Sequence, residues 1–138
     1  MKIALADTDA ARQACFDIRR AVFIEEQQIP EAEEWDAHDA TCLHYLAGDG
    51  AGTARIIARG DTAKIGRVAV MKAHRGTGLG AQIMQALMDD AKGRGFTAAE
   101  LESQVYAIPF YERLGFVAEG PEYDDGSGIL HRLMRAGL

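Results

Sequence analysis

The stretch Ile65-Gly66-Arg67-Val68-Ala69-Val70, followed four residues later by Arg75-Gly76-Thr77-Gly78-Leu79-Gly80, decides how this chain is read. The first part carries β-branched residues and predicts the end of a strand over Thr62–Met71. The second places three glycines within six residues. From Leu79 to about Lys92 the apolar residues Leu79, Ile83, Met84, Leu87, Met88 and Ala91 recur at helical spacing on one broad face. Gly93 and Gly95 bracket Arg94 as a stop, and Lys92 and Arg94 complement the helix dipole there. A strand therefore runs through a glycine turn into a helix. Glycine lets the backbone turn tightly and lets a ligand approach with no β-carbon in the way. Free N–H groups at a helix start bind phosphate. Arg75 adds a fork of donors, with Lys72 and His74 beside it. No Gly-Lys-Ser/Thr follows, so the turn is not a P-loop.

Working outward, Lys2–Ala6 is a short apolar run expected to be the first strand. Asp7-Thr8-Asp9 offers cap chemistry for a helix from about Ala10 to Phe23. On that helix Ala14, Ile18, Ala21 and Val22 make the apolar stripe, with Arg12, Arg19 and Arg20 assigned to other faces. Glu25–Asp39 is acidic, contains Pro30, and reads as a loop with a short helix around Glu31–Trp35. Strands are expected at Cys42–Ala47, Gly52–Arg59 and Thr62–Met71. The short turns Gly48-Asp49-Gly50 and Gly60-Asp61 make them antiparallel neighbours. After the long helix come a strand at Phe96–Leu101 and a short helix, Tyr106–Leu114, that Gly115 ends. A last hairpin pairs Phe116–Ala118 with Ile129–Met134 across Asp124–Gly128. A crossover helix joins strands that can lie parallel. The fold class is thus α/β, of the α+β kind, in one domain over residues 1–138. Its expected frame is a single mixed, mostly antiparallel central sheet of about seven strands with helices on both faces.

Composition narrows the function classes. With 138 residues, 48% of them hydrophobic, the chain can bury a core without staples. No apolar run approaches the ~18 residues of a membrane span. Fifteen Lys and Arg against 21 Asp and Glu give a formal charge of -6, which disfavours nucleic acid as a partner. The acids are unevenly spread. Between Ala21 and Ala54 there is no Lys or Arg, and that stretch holds Glu25, Glu26, Glu31, Glu33, Glu34, Asp36, Asp39 and Asp49. Glu119, Glu122, Asp124 and Asp125 form a second group. These groups read either as solvated faces or as a field that draws cations. Cys15 and Cys42, with no signal-peptide h-region at the N-terminus, are expected as free thiols in a reducing cytoplasm. Cys42, His44 and His38 lie close enough in sequence to suggest a metal, but no fourth ligand is evident and none is expected.

The glycine turn has a second reading. Gly76-Thr77-Gly78-Leu79-Gly80-Ala81 fits G-x-G-x-x-A, a dinucleotide fingerprint, with Glu100 and Glu102 where a ribose-binding acid would stand. The chain would then be an oxidoreductase or a nucleotide-binding module. That fingerprint belongs to the first strand of a parallel βαβ unit, whereas three hairpin-type strands precede it here.

Val68-Ala69-Val70 followed by Arg75–Gly80 resembles the acetyl-CoA signature R/Q-x-x-G-x-G/A of the GNAT N-acetyltransferase superfamily. Ala107-Ile108-Pro109-Phe110-Tyr111-Glu112-Arg113-Leu114-Gly115-Phe116 resembles that superfamily's A-x-x-x-Y-E-x-x-G-F segment. Phe23 to Glu34 and Glu122 to His131 resemble a bacterial subgroup of small stand-alone members. The resemblance implies acetyl-CoA as cosubstrate and no metal. It implies transfer to a primary amine of a small acceptor by direct attack in a ternary complex, and the acidic stretches make a cationic acceptor the expectation. A CoA-binding regulator without catalysis is the other reading the same motifs allow. The resemblance also implies roles. The backbone of Val68, Ala69 and Val70 pairs with the pantetheine arm, and an N–H there polarises the acetyl carbonyl. Arg75, Gly76, Thr77, Gly78, Leu79 and Gly80 hold the pyrophosphate. Gln104 stands where many members carry Asn and reaches the same arm or a bound water. Tyr111 is the general acid. Apart from the resemblance, the acceptor ammonium must lose a proton, and the candidate bases are Glu102, His44, His131 and Glu25 or Glu26, with Glu102 and His131 taken as catalytic and Glu25, Glu26 and His44 on the acceptor side. The acidic stretches 25–39 and 119–125 fall where the family frames its acceptor. Relatives often form dimers, so a homodimer is part of the expectation.

Overall fold

Thr8 starts the first helix as the capping residues predict. Its Oγ1 accepts the Ala11 N–H at 3.1 Å and its backbone is extended. The computed structural model describes residues 1–138, with β1 (Ile3–Leu5), α1 (Asp9–Arg19), a π-helical segment (Arg20–Glu26), α2 (Glu31–Glu34) and a 3-10 turn (Ala37–Ala40). There follow β2 (Leu43–Ala47), β3 (Gly52–Arg59), β4 (Thr62–Val70), a 3-10 turn (Lys72–His74) and α3 (Leu79–Gly93). The chain closes with β5 (Ala98–Gln104), a 3-10 turn (Val105–Ala107), α4 (Ile108–Glu112), β6 (Val117–Asp124) and β7 (Leu130–Gly137). The seven strands make one mixed sheet in the order β1-β2-β3-β4-β5-β7-β6. β4 and β5 are parallel, joined through α3, while β1–β2, β2–β3, β5–β7 and β6–β7 are antiparallel. No helix is long and apolar enough to cross a membrane.

The chain divides into two compact units. The first comprises Met1–Ile57 and Ile65–Leu87. Its core includes Ile18, Val22, Phe23 and Ala69, with Ile29, Leu46 and Met71 packed against them. Leu79, Ile83, Met84 and Leu87 are buried on one face of α3, which is the apolar face the spacing predicts. Gly52 lies close under that face. A β-carbon there would stand 2.8 Å from Ile83 Cδ1 and 2.9 Å from the Ala69 carbonyl oxygen.

The second unit comprises Ala58–Lys64 and Met88–Leu138. On β5 and β7, Ala99 opposes Ala136 and Leu101 opposes Met134, and all four are buried. Phe116 is buried just before β6. The alternate face of β5 carries Glu100, which takes Arg59 at 3.0 Å and Arg135 at 3.1 Å.

Three expectations are corrected. α1 stops at Arg19, and the following turns are π-helical, so the 3.6-residue stripe does not run on to Phe23. Arg19 is not on an outer face. It lies in the buried row Cys15, Ile18, Arg19, Val22 and is 1% exposed. β5 begins later and runs further than Phe96–Leu101, which places Glu102 inside a strand rather than at its end.

Candidate active site

In the first unit, β4 carries one break in its extended backbone. Arg67 has φ 51°, the left-handed region that a residue with a β-carbon rarely adopts. Such a residue re-aims the strand after it. The parallel pairing of β4 with β5 covers Thr62↔Ala98, Ala63↔Ala99 and Lys64↔Glu100, and β4 continues beyond it through Val68, Ala69 and Val70. Past β4 the chain turns through Lys72–His74 and then through Gly76 and Gly78, whose φ values are 75° and 84°. Nothing lies within 4 Å of where a β-carbon would stand at either glycine, so that side of the turn is open. The first bond from Gly78 into α3 is accepted from Gln82 N–H at 3.1 Å. The N–H groups of Leu79, Gly80 and Ala81 precede it and have no intrahelical acceptor, which leaves them for an anion. Thr77 Oγ1 donates to the His74 carbonyl at 2.6 Å and steadies the turn. Leu79 serves this turn only by its backbone, because its side chain is buried in the core.

Arg75 does not project freely. Its Nε donates to the Val70 carbonyl at 3.0 Å, and its Nη1 and Nη2 pair with both oxygens of Glu26, the latter at 2.8 Å. That hydrogen bond holds the Glu26 carboxyl below its ordinary value. Glu26, expected on the acceptor side, therefore stands at the glycine turn. Glu25 makes no ion pair. His44 is 3% exposed, with Nε2 2.9 Å from the Asp39 carbonyl oxygen and 3.4 Å from Cys42 Sγ, and its ring meets Phe16 edge-on. Ligand atoms of Asp39, Cys42 and His44 fall within 4.8 Å of one another. Yet the Asp39 carboxylate is taken by Arg19 and Arg55, and the His44 nitrogen faces a carbonyl.

The second unit gathers another group of polar side chains. Gln104 on β5 opposes His131 on β7, and His131 opposes Tyr123 on β6. Directly opposed residues share a face, and Glu102 shares it two residues from Gln104. Tyr123 stacks on His131 at 5.9 Å, and its hydroxyl is buried beside the Glu102 carboxylate without a formed hydrogen bond. Burial first, and that carboxylate second, push the Tyr123 phenol up to about 12. Glu102 lies 3.9 Å from Lys64 Nζ. His131 Nε2 is 3.6 Å from Asp125, and its Nδ1 is 2.8 Å from the Ile129 carbonyl oxygen. Tyr111 stands on α4, edge-on to Phe110 at 5.0 Å and to Phe116 at 6.1 Å. Burial raises its phenol above the ordinary tyrosine value, and Tyr106 adds to this. Tyr111 thus keeps its proton at neutral pH, as a donor must.

The sequence reading missed two things. Tyr123 was one, because counting outward from the Asp124–Gly128 turn sets it opposite Ile129, whereas the loop takes in Ile129 and Tyr123 pairs with His131. The larger was a chain of buried charges in the first unit. Arg67 pairs with Glu34, Glu34 with Arg19, Arg19 with Asp39, Asp39 with Arg55, and Arg55 with Asp36. The acid run 25–39 is consequently not an open field. Glu26, Glu31, Glu34, Asp36 and Asp39 each face an arginine, while Glu33 makes no ion pair.

Comparisons with known proteins agree with this geometry. The sequence profile of the acetyltransferase (GNAT) family matches residues 11–116. YyaT of Bacillus subtilis, an uncharacterized protein, is 38% identical over 142 residues, covering 97% of this chain and 94% of that one. YjcF of the same organism, an uncharacterized N-acetyltransferase, is 33% identical over 138 residues, covering 97% and 98%. Among solved structures, an acyl-CoA N-acyltransferase from Pseudomonas aeruginosa superposes with a TM-score of 0.87 at 30% identity, over 99% of both chains.

Proposed function

The chain belongs to the GNAT acetyltransferase family and is an acyltransferase, and we propose that it moves the acetyl group of acetyl-CoA to the primary amine of a small acceptor, by direct attack in a ternary complex. The observation that carries this reading is the turn after β4. There an open glycine pair, a basic residue and three N–H groups without intrahelical acceptors stand together at the start of α3. That donor set fits a pyrophosphate. The alternative dinucleotide reading needs the first strand of a parallel unit, and the turn instead follows the fourth strand of a mixed sheet.

The thioester supplies an activated carbonyl and a thiolate leaving group. Val68 N–H, just past the break at Arg67, donates to the carbonyl oxygen as it gains charge, an effect commonly worth about 3–4 kcal/mol. The backbone of Val68–Val70, past the stretch paired with β5, accepts the pantetheine arm as an added strand. Tyr111 gives its proton to the departing sulfur. Glu102, with His131 and Tyr123 on the same face, takes the proton that the acceptor ammonium must lose before it attacks. Gln104 serves the same arm from the end of β5.

The test pairs binding with turnover. A thermal shift compares acetyl-CoA with NAD, since ligand at 100 times its dissociation constant adds about 2.7 kcal/mol. A panel of primary amines is then assayed for CoA release. Tyr111→Phe is expected to slow release by about 10²–10⁴-fold while acetyl-CoA binding stays. Unchanged turnover removes Tyr111 from the acid's role. A shift with NAD alone overturns the acetyl-CoA reading.

A further inference from the structure

Arg67 is the only non-glycine strand residue with a left-handed backbone. Such a conformation persists where the surroundings hold it. Here the guanidinium is held from two sides. Its Nε lies 3.3 Å from Glu34 Oε2, an ion pair without a formed hydrogen bond, and its guanidinium sits over the Phe23 ring at 5.3 Å from the centroid. Both anchors are rigid. Phe23 belongs to the π-helical segment and packs in the same core cluster as Ala69, two residues beyond Arg67. Glu34 is 0% exposed and is fixed by Arg19, whose Nε donates to Oε2 at 2.9 Å and whose Nη2 donates to the Glu34 carbonyl at 3.0 Å.

The construction is not what stability alone selects. Glu34 spends one oxygen on two arginines and leaves Oε1 buried with no hydrogen bond. Apolar residues of similar volume in place of a buried ion pair are often as stable or more so. What the pair does supply is a tie between α2 and the backbone break in β4. We propose that Glu34, acting through the Arg67 side chain, sets the left-handed turn at Arg67 and so aims the Val68 N–H. Arg67 and Glu34 are then positioning residues for acetyl transfer, an inference that rests on the functional reading above.

Arg67→Gly separates tether from backbone. Glycine adopts a left-handed φ without steric conflict, and the Glu34–Arg19 pair remains to hold the fold. With the tether gone, kcat falls by about 10²-fold, the cost of a misplaced reacting geometry, while KM for acetyl-CoA barely moves. Calorimetry gives the second readout. CoA lacks the carbonyl and binds wild type and variant alike, whereas the preference for acetyl-CoA over CoA shrinks by about fivefold, the worth of one neutral hydrogen bond. Glu34→Gln reproduces both effects, and the double variant loses no more than either single one. Arg67→Gly with wild-type kcat and wild-type preference overturns the tether and leaves acetyl transfer standing. Equal loss of CoA and acetyl-CoA affinity overturns it too, since that marks general damage. A wild-type chain that binds no acetyl-CoA and releases no CoA with any amine overturns the functional reading, and the tether with it.

Discussion

Arg19→Met cuts the buried charge chain at its centre. Arg19 is 1% exposed and donates to Glu34 Oε2 at 2.9 Å, to the Glu34 carbonyl at 3.0 Å, and to the two oxygens of Asp39 at 2.6 and 3.2 Å. Its guanidinium also lies over Trp35 at 4.9 Å. Methionine keeps the apolar stem and removes every donor. Glu34, at 0% exposure, would then face only Arg67. Removing one partner of a buried pair costs about 3–5 kcal/mol. Unfolding entropy of roughly 2.1 cal/mol/K per residue over 138 residues is about 0.29 kcal/mol/K, so the melting midpoint falls by about 10–17 °C. Urea melts at neutral pH measure the loss. Arg12→Ala, which breaks an exposed pair with Asp9, stays within about 0.5 kcal/mol and serves as control. The deficit also has a pH signature. Burial pushes the Asp39 carboxyl up, but the Arg19 hydrogen bond and its charge outweigh this and hold it below its ordinary value. A depressed carboxyl contributes stability that is present above its unfolded pKa and lost as pH falls through its folded one. Arg19→Met forfeits that contribution, so its deficit is full at neutral pH and narrows below about pH 4. A loss under about 1 kcal/mol, or a gap constant into acid, refutes the reasoning.

Two further perturbations probe the glycine turn and its neighbours. Gly52→Ala drives a methyl to 2.9 Å from the Ala69 carbonyl, a backbone atom that cannot rotate away as the tip of Ile83 can. It should cost about 1–3 kcal/mol and weaken acetyl-CoA binding in calorimetry, and a variant unchanged in both refutes the close approach. Glu26→Gln releases Arg75, of which 39% of the side chain is exposed, from a solvent-screened surface pair. CoA should therefore bind tighter at low salt. The gain should vanish near 1 M salt, where the Debye length is about 3 Å, and weaker binding refutes the competition.

Much of the fold was legible because its signals are local. The turn glycines, the cap at Thr8, the apolar face of α3 and the hairpin turns each act within a few residues. The crossover from β4 to β5 could be counted from the length of α3. Arg19 was illegible for a different reason. Placing a charged residue on the stripe Cys15, Ile18, Val22 is costly unless partners meet it, and those partners, Glu34 and Asp39, come from the loop beyond the π-helical segment. Within the site, the nature of the glycine turn was readable, but its state was not. Arg75 and Glu26 lie 49 positions apart, and nothing local pairs them. Tyr123 hid because the β6–β7 loop takes in Ile129, so that Asp124 pairs with Leu130 and the partner of Tyr123 lies two residues beyond the one the turn alone implies.

The same distinction bears on the acceptor. A window that contains acids and no bases looks like a field for cations, yet a field depends on charges left unpaired in space. Here the bases stand just outside the window, as Arg19 and Arg20 before it and Arg55, Arg67 and Arg75 after it, and they return to neutralise it. In the second acidic group, Asp124 accepts the N–H groups of Gly126 and Gly128, and Asp125 those of Ser127, so both are spent on the turn. Any attraction for a cationic acceptor therefore falls to the acids of these groups that make no ion pair, Glu25, Glu33 and Asp49 in the first unit and Glu119 and Glu122 in the second. Glu34, Asp36 and Asp39 hold structure instead. Neutralising Asp36 or Asp39 would lower turnover by loosening the fold, which melting would reveal, whereas neutralising Glu25 or Glu33 would change acceptor binding in a salt-dependent way with the melt unmoved.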